Sequence, residues 1–208
     1  MNRLFHAFVR PLLLALALAN TASAAVIYSG VQNVAAPFGF DGVYVNIVTN
    51  STSLTEPGTW TTAPWINPFW GGTVIGSNDQ LRPSVIAGTA GAEQIINHAF
   101  GSEIGSTAYF ASDYNGSETH IGASSSQFQI GAAGYIGFTF DLAGDTHYGW
   151  MRVTPGSGGA GIVHDWAYNS LPDEGIYAGL LLGIPEPSRA LLLILGMSVA
   201  VLRRRRAR

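Results

Sequence analysis

Apolar and polar residues alternate with a period of two through most of residues 25 to 178, and Gly, Asn, Asp and Pro punctuate the runs. A period of two places successive side chains on opposite faces of a strand, so the pattern predicts an all-β domain. The cleanest run is Gly134 to Leu142, where Ile136, Phe138, Phe140 and Leu142 alternate with Tyr135, Gly137, Thr139 and Asp141. Ala143-Gly144-Asp145-Thr146 supplies turn chemistry, and His147 to Thr154 then alternates again, with Tyr148, Trp150 and Arg152 opposite Met151 and Val153. These runs predict an antiparallel hairpin. Gly161 to Tyr168 predicts a third strand, with Ile162, His164, Trp166 and Tyr168 on one face and Val163, Asp165 and Ala167 on the other.

Shorter runs predict further strands at Val26 to Val34, Val43 to Thr49, Leu81 to Ala87, Thr107 to Ala111 and Gln127 to Ile130. Glu93 to Phe100 fits two patterns: Ile95, Ile96, Ala99 and Phe100 share a helical face, while the flanking glycines and short length also suit a strand. Many short strands at this spacing predict a β-sandwich, of which a jelly roll is one version. The sequence shows no internal repeat.

Both ends depart from this pattern. Residues 1 to 24 have a basic start (Arg3, Arg10), an apolar run from Leu12 to Ala19 and small residues at Ala22-Ser23-Ala24, the layout of a secretory signal peptide cleaved after Ala24. Its apolar run rises only about 12 Å as a helix, far less than the ~30 Å hydrocarbon core, which argues against a permanent anchor. At the other end, Pro185-Glu186-Pro187-Ser188-Arg189 precedes an apolar stretch from Ala190 to Leu202, and Arg203, Arg204, Arg205 and Arg206 follow it. An arginine cluster behind an apolar helix stays in the cytoplasm, so the segment reads as a stop-transfer that leaves residues 25 to 184 outside. The stretch spans about 20 Å, short of the ~30 Å bilayer core unless Pro187 to Arg189 dip in or the membrane thins locally. The expected organisation is therefore a signal peptide at 1–24, a β-rich extracytoplasmic domain at 25–184 and a sorting or anchor segment at 185–208.

Charge sharpens this division. Between residues 25 and 184 the only basic side chains besides histidine are Arg82 and Arg152, against twelve acids, a formal charge of −10. No nucleic-acid partner is expected for such a domain, whereas cations would be drawn to it. Cysteine is absent, which excludes disulfides, thiol nucleophiles and thiolate metal sites. A domain of this size buries roughly 70% of the surface its unfolded chain exposes and needs no such staple.

The Pro185-Glu186-Pro187 tripeptide, apolar helix and terminal arginine cluster, paired with an N-terminal signal peptide, resemble the PEP-CTERM sorting signal that exosortases of Gram-negative bacteria recognise. The resemblance implies an exosortase-type membrane protease as partner, a membrane-held intermediate, and cleavage near the tripeptide. It further implies transfer of the ectodomain to the cell surface or extracellular matrix in organisms that make exopolysaccharide. Arg189 departs from tails that are usually uncharged there, and the helix is at the short end. Two prolines so placed favour the extended backbone that a protease needs. A broader likeness to exported PEP-CTERM proteins runs through Phe40-Asp41-Gly42-Val43-Tyr44, Pro64-Trp65-Ile66-Asn67-Pro68-Phe69, Tyr148-Gly149-Trp150-Met151-Arg152 and Asp165-Trp166-Ala167-Tyr168. It implies a common β domain and transfers no active site.

Trp60, Trp65 and Trp70 recur every five residues in a segment rich in proline and threonine, read as a loop from Glu56 to Gly72. Exposed, they would form a platform for sugar rings; buried, they would cap one end of the fold. Tyr148, Trp150 and Arg152 share a strand face, and Arg152 is expected to pair with an acid such as Asp141 across the hairpin. Asp113-Tyr114-Asn115-Gly116-Ser117-Glu118 alternates oxygen ligands as calcium loops do, but Gly116 and Ser124 fall where an EF-hand needs other residues. That leaves a generic calcium loop or an ordinary polar turn. His6, His98, His120, His147 and His164 show no metal-ligand spacing, and the adjacency of His164 and Asp165 sets them on opposite faces of a strand.

Three function classes remain. A non-catalytic surface or matrix protein associated with exopolysaccharide leads, with neither enzyme activity nor cofactor expected. A carbohydrate-binding module using the tryptophans comes second. A polysaccharide-active enzyme with a carboxylate pair such as Asp141 and Asp145 comes third.

Overall fold

The computed structural model describes residues 25–72, 74–78, 80–87, 94–111 and 127–181. Its strands, in chain order, are β1 (Val26–Tyr28), β2 (Val34–Ala36), β3 (Tyr44–Asn46), β4 (Thr52–Ser53), β5 (Trp65–Trp70), β6 (Val74–Gly76) and β7 (Leu81–Pro83). They continue as β8 (Asn97–His98), β9 (Glu103–Ile104), β10 (Gly134–Leu142), β11 (Asp145–Pro155), β12 (Gly161–Asn169) and β13 (Ile176–Tyr177). The fold is all-β, and among the described residues every strand pairing is antiparallel.

The three long strands β10, β11 and β12 form a meander at the centre of a seven-stranded sheet ordered β1-β12-β11-β10-β7, in which β2 also pairs with β12 and β8 with β10. The hairpin register runs from Gly134 opposite Val153 to Leu142 opposite Asp145. Its loop is thus tighter than the four residues read from the sequence. Ala143 (φ 57°) and Gly144 (φ 92°) form it alone, both left-handed, as a type I′ turn requires.

A four-stranded sheet, β4-β3-β5-β6, supplies the other side of the main core. Val45, Ile47, Ile66, Phe69 and Ile75 from this half meet Ile136, Phe138, Phe140, Met151, Val153, Val163 and Trp166 from the larger sheet in one buried cluster. Gly161 lets the halves approach, because a Cβ there would collide with the Phe69 ring. The opposite face of the meander is covered as well. Tyr148, Trp150 and Ala167 pack there with Ile104, Ile176 and Ala178, which belong to or adjoin the small β13-β9 sheet. The Tyr148 and Trp150 face is therefore a second core.

β5 corrects the expected loop. Proline lacks the N–H a ladder needs, which argues against a strand, yet Pro68 sits where the β5–β6 register shifts between Asn67 and Trp70. The bulge accommodates it. A second bulge lies between β11 and β12, where Arg152 faces Asp165 but Val153 faces Val163, leaving His164 as the extra residue. The edge follows this irregularity: the expected single strand from Val26 to Val34 is split into β1 and β2, with left-handed Gly30 and Asn33 between them. Gln32 and Asn33 both donate from their backbone nitrogens to the His164 carbonyl, at 2.7 and 3.1 Å.

The ambiguous run before Phe100 forms β8 and a bridge from Val85 to Ile95, with no helix among its described residues. Of the other short runs, Val43 to Thr49 contains β3, and Leu81 to Ala87 contains β7 followed by single bridges at Ser84 and Val85. Phe110 makes one bridge to Ser84, and Phe128 is buried outside any of the thirteen strands.

Candidate functional site

The described surface contains a cleft of about 130 Å³, partly open to solvent, over one end of the four-stranded sheet. Tyr44 of β3, Asn67 and Trp70 of β5, Ser77 after β6, and Glu56 and Trp60 from the β4–β5 connection line it. Pairing of β3 with β5 through Val45 opposite Ile66 brings the strand residues together. The connection is held by a buried amide: Asn78 donates through Nδ2 to the carbonyl of Ala63 at 2.9 Å and also to that of Trp60. Trp60 is thereby fixed by its own backbone.

Both tryptophan rings are braced. Tyr44 meets Trp60 edge-on, with ring centres 5.2 Å apart and planes at 85°. Phe40 meets Trp70 at 5.3 Å and 66°. Below them, Asn67 spans two segments, donating through Nδ2 to the Asp41 carbonyl and accepting at Oδ1 from the Phe69 backbone N–H at 3.1 Å. Burial raises the Tyr44 phenol above its ordinary value, and the negative charges of Asp41 and Glu56 push the same way, against a lowering hydrogen bond from Asn67. Its hydroxyl stays protonated at neutral pH.

Of the three tryptophans singled out in the sequence, Trp60 and Trp70 meet at this cleft, each half-buried. Trp65 does not join them. It is 6% exposed and its Nε1 donates to Thr59 Oγ1 at 3.0 Å, so it secures the loop that carries Trp60. Glu56, Tyr44 and Asn67 have no spacing that would have marked them, since each comes from a different element.

The expected partner of Arg152 is corrected. Asp141 lies opposite Thr146, near the turn of the hairpin, whereas Asp165 faces Arg152 on β12. Arg152 Nε donates to Asp165 Oδ1 at 2.9 Å and Nη2 to Oδ2 at 2.6 Å, a bidentate pair. Tyr28 adds a hydroxyl donated to Oδ2 at 2.9 Å. The hydrogen-bonded carboxylate raises the guanidinium further above its ordinary value. The geometry is that of a structural clamp beside the second core.

Ser84 and His98 resemble a nucleophile and base, with Oγ 2.7 Å from Nε2. Ser84 is 1% exposed, however, so its hydroxyl is closed off from a substrate, and burial lowers His98 to about 4. His164 faces Thr154 Oγ1 through Nε2 at 2.8 Å and Asn33 Oδ1 through Nδ1 at 2.9 Å, apart from any dyad with Asp165. Asp141 lines a hollow of about 210 Å³ with Gln80, Arg82, Thr139 and Thr146; Asp145 does not border it. Among the described residues no cluster of three or more His, Cys, Asp or Glu side chains is placed to hold a metal ion, and no helix is long and apolar enough to cross a membrane. Ala22, Ala24, the calcium-like run Asp113 to Glu118, Pro185, Glu186, Pro187 and the arginines Arg203, Arg204, Arg205 and Arg206 lie outside the described residues.

Fold and site together define an all-β antiparallel domain with a braced aromatic cleft. The chain matches no family model, no curated protein and no solved structure.

Proposed function

We propose that this chain is an exported, non-catalytic surface or matrix protein, sorted by an exosortase-type protease through its C-terminal segment and associated with exopolysaccharide. The observation that carries the reading is the order Pro185-Glu186-Pro187, apolar stretch, Arg203 to Arg206, set at the opposite end from a signal-peptide layout. Ala25 is tied into the β domain by Ser170, through its nitrogen to Oγ at 3.3 Å and through its carbonyl to the Ser170 N–H at 2.9 Å. The shared core of the seven- and four-stranded sheets supports a β-sandwich as its architecture.

Mass spectrometry of surface material from the native host tests this. Mature ends at Ala25 and near Pro185 to Pro187 are expected, and surface protein still carrying Arg203 to Arg208 would contradict the sorting step.

A second reading, carbohydrate binding, is favoured by the cleft between Trp60 and Trp70. Flat aromatic walls beside a carboxylate suit a ligand with apolar C–H faces and hydroxyl edges.

A further inference from the structure

We infer that the Trp60–Trp70 cleft takes one uncharged pyranose ring and rejects acidic sugars. This rests on the carbohydrate-binding reading and adds the size and charge class of the ligand.

Size comes from the cavity. An apolar cavity of about 150 Å³ accepts a molecule the size of benzene. The cleft, at about 130 Å³, is smaller than that and partly open, so it seats one face or edge of a single sugar ring while the rest of the ring and its neighbours in a chain stay in solvent. The Trp60 wall is set in advance, because the buried Tyr44 ring meets its indole edge-on and Asn78 pins its backbone, while Trp70 meets the exposed ring of Phe40. A ligand therefore meets one ordered aromatic wall at Trp60, where little side-chain entropy is lost on binding.

Charge comes from the polar lining. Glu56 provides a carboxylate, an acceptor for sugar hydroxyls, and the protonated Tyr44 is both donor and acceptor. Glu56 and Asp41 both act electrostatically on Tyr44, so their field reaches the cleft, and neither lysine nor arginine lines it. The surrounding domain adds a formal charge of −10 over residues 25 to 184. A uronate or sulfated ring entering this site would face like charge on a partly desolvated surface, while a neutral ring offers hydroxyl protons to the same carboxylate.

Isothermal titration of the full-length chain in mild detergent, with EDTA present, tests the inference. The ligands are neutral gluco-, manno-, galacto- and xylo-oligosaccharides and, separately, oligogalacturonate. Saturable binding of at least one neutral series and none of the uronate is expected. Trp60→Ala and Trp70→Ala should each weaken it by about tenfold, equal to ~1.4 kcal/mol, with the folded state retained by circular dichroism at the titration temperature. Glu56→Gln should narrow the neutral-over-uronate preference. Uronate binding as tight as neutral binding would overturn the charge class yet leave a sugar site standing. Neutral binding indifferent to both tryptophan variants would overturn the location. Failure of every sugar to bind the folded protein would overturn this inference and the carbohydrate reading together, leaving the sorting reading to its own test.

Discussion

The indole Nε1 of Trp166 donates to the carbonyl of Ile47 at 3.1 Å, tying β12 to the turn that follows β3. Both residues are 1% exposed, so water cannot readily replace either partner. Trp166→Phe removes the donor and part of the ring. An orphaned buried polar group costs about 1–3 kcal/mol, and the void adds to it. Urea unfolding should show a lower midpoint with an unchanged slope, a loss of roughly 2–4 kcal/mol. A loss below about 0.5 kcal/mol, the range of ordinary surface substitutions, would mean that this bond does not couple the sheets.

His98 gives the domain a pH dependence of known sign. Burial lowers it from 6.5 to about 4, and its ring lies under the backbone of Gly137, where a Cβ would stand 2.7 Å from Nε2. Between these two values the unfolded chain binds the proton and the folded chain does not. The contribution of neutral His98 is thus complete above about pH 6.5 and is lost as the pH falls toward 4, with a ceiling of about 3 kcal/mol. Urea melts at about pH 7.5 and about pH 4.5 should show a smaller acid loss in His98→Gln than in the parent. Equal losses in the two proteins would assign the acid sensitivity elsewhere.

The β10–β11 turn carries a correctable strain. Ala143 is exposed at φ 57°, a conformation that costs an L-residue with a Cβ about 1–2 kcal/mol and that asparagine tolerates better. Followed by left-handed Gly144, Ala143→Asn creates the preferred type I′ pair. A gain of about 0.5–1 kcal/mol is expected, read as a rise of roughly 1–4 °C in melting temperature. A fall instead would show that the side chain at this position, not its backbone, decides the turn.

The central meander was legible because its alternation is long and the strands pair in sequence order. Ile136, Phe138 and Phe140 do share the main core, and Tyr148 and Trp150 do share the other face. What alternation alone misses is a change of parity. It groups Val163 with Asp165 and Ala167, whereas Val163 packs with Trp166 and Tyr168, because His164 is bulged out of the ladder. Pro68 hid β5 for a related reason, since the bulge that admits it depends on a register with β6 that no local pattern specifies. The cleft was legible only as two of its aromatic rings. Tyr44, Glu56 and Asn67 reach it through the pairing of β3 with β5 and the Asn78 anchor, both tertiary facts.

The bulge makes a prediction that separates it from an ordinary strand position. Removing one residue from a regular strand turns every side chain beyond it to the wrong face. At His164 the opposite holds: Asp165 already faces the second core side and Val163 the main core, so deleting the residue between them restores simple alternation without moving either. What is lost is the carbonyl that accepts from Gln32 and Asn33 and the ring that spans Thr154 and Asn33. At about 0.5–1.5 kcal/mol for each of these four hydrogen bonds, deletion of His164 should lower stability by roughly 2–6 kcal/mol while cooperative unfolding persists. Deletion of Ala167, in the regular stretch opposite Trp150, should abolish the fold. Far-UV and near-UV circular dichroism with urea melts on both variants would decide it: loss of the folded state in both, or its retention in both, would show that His164 is not the point at which β12 changes parity.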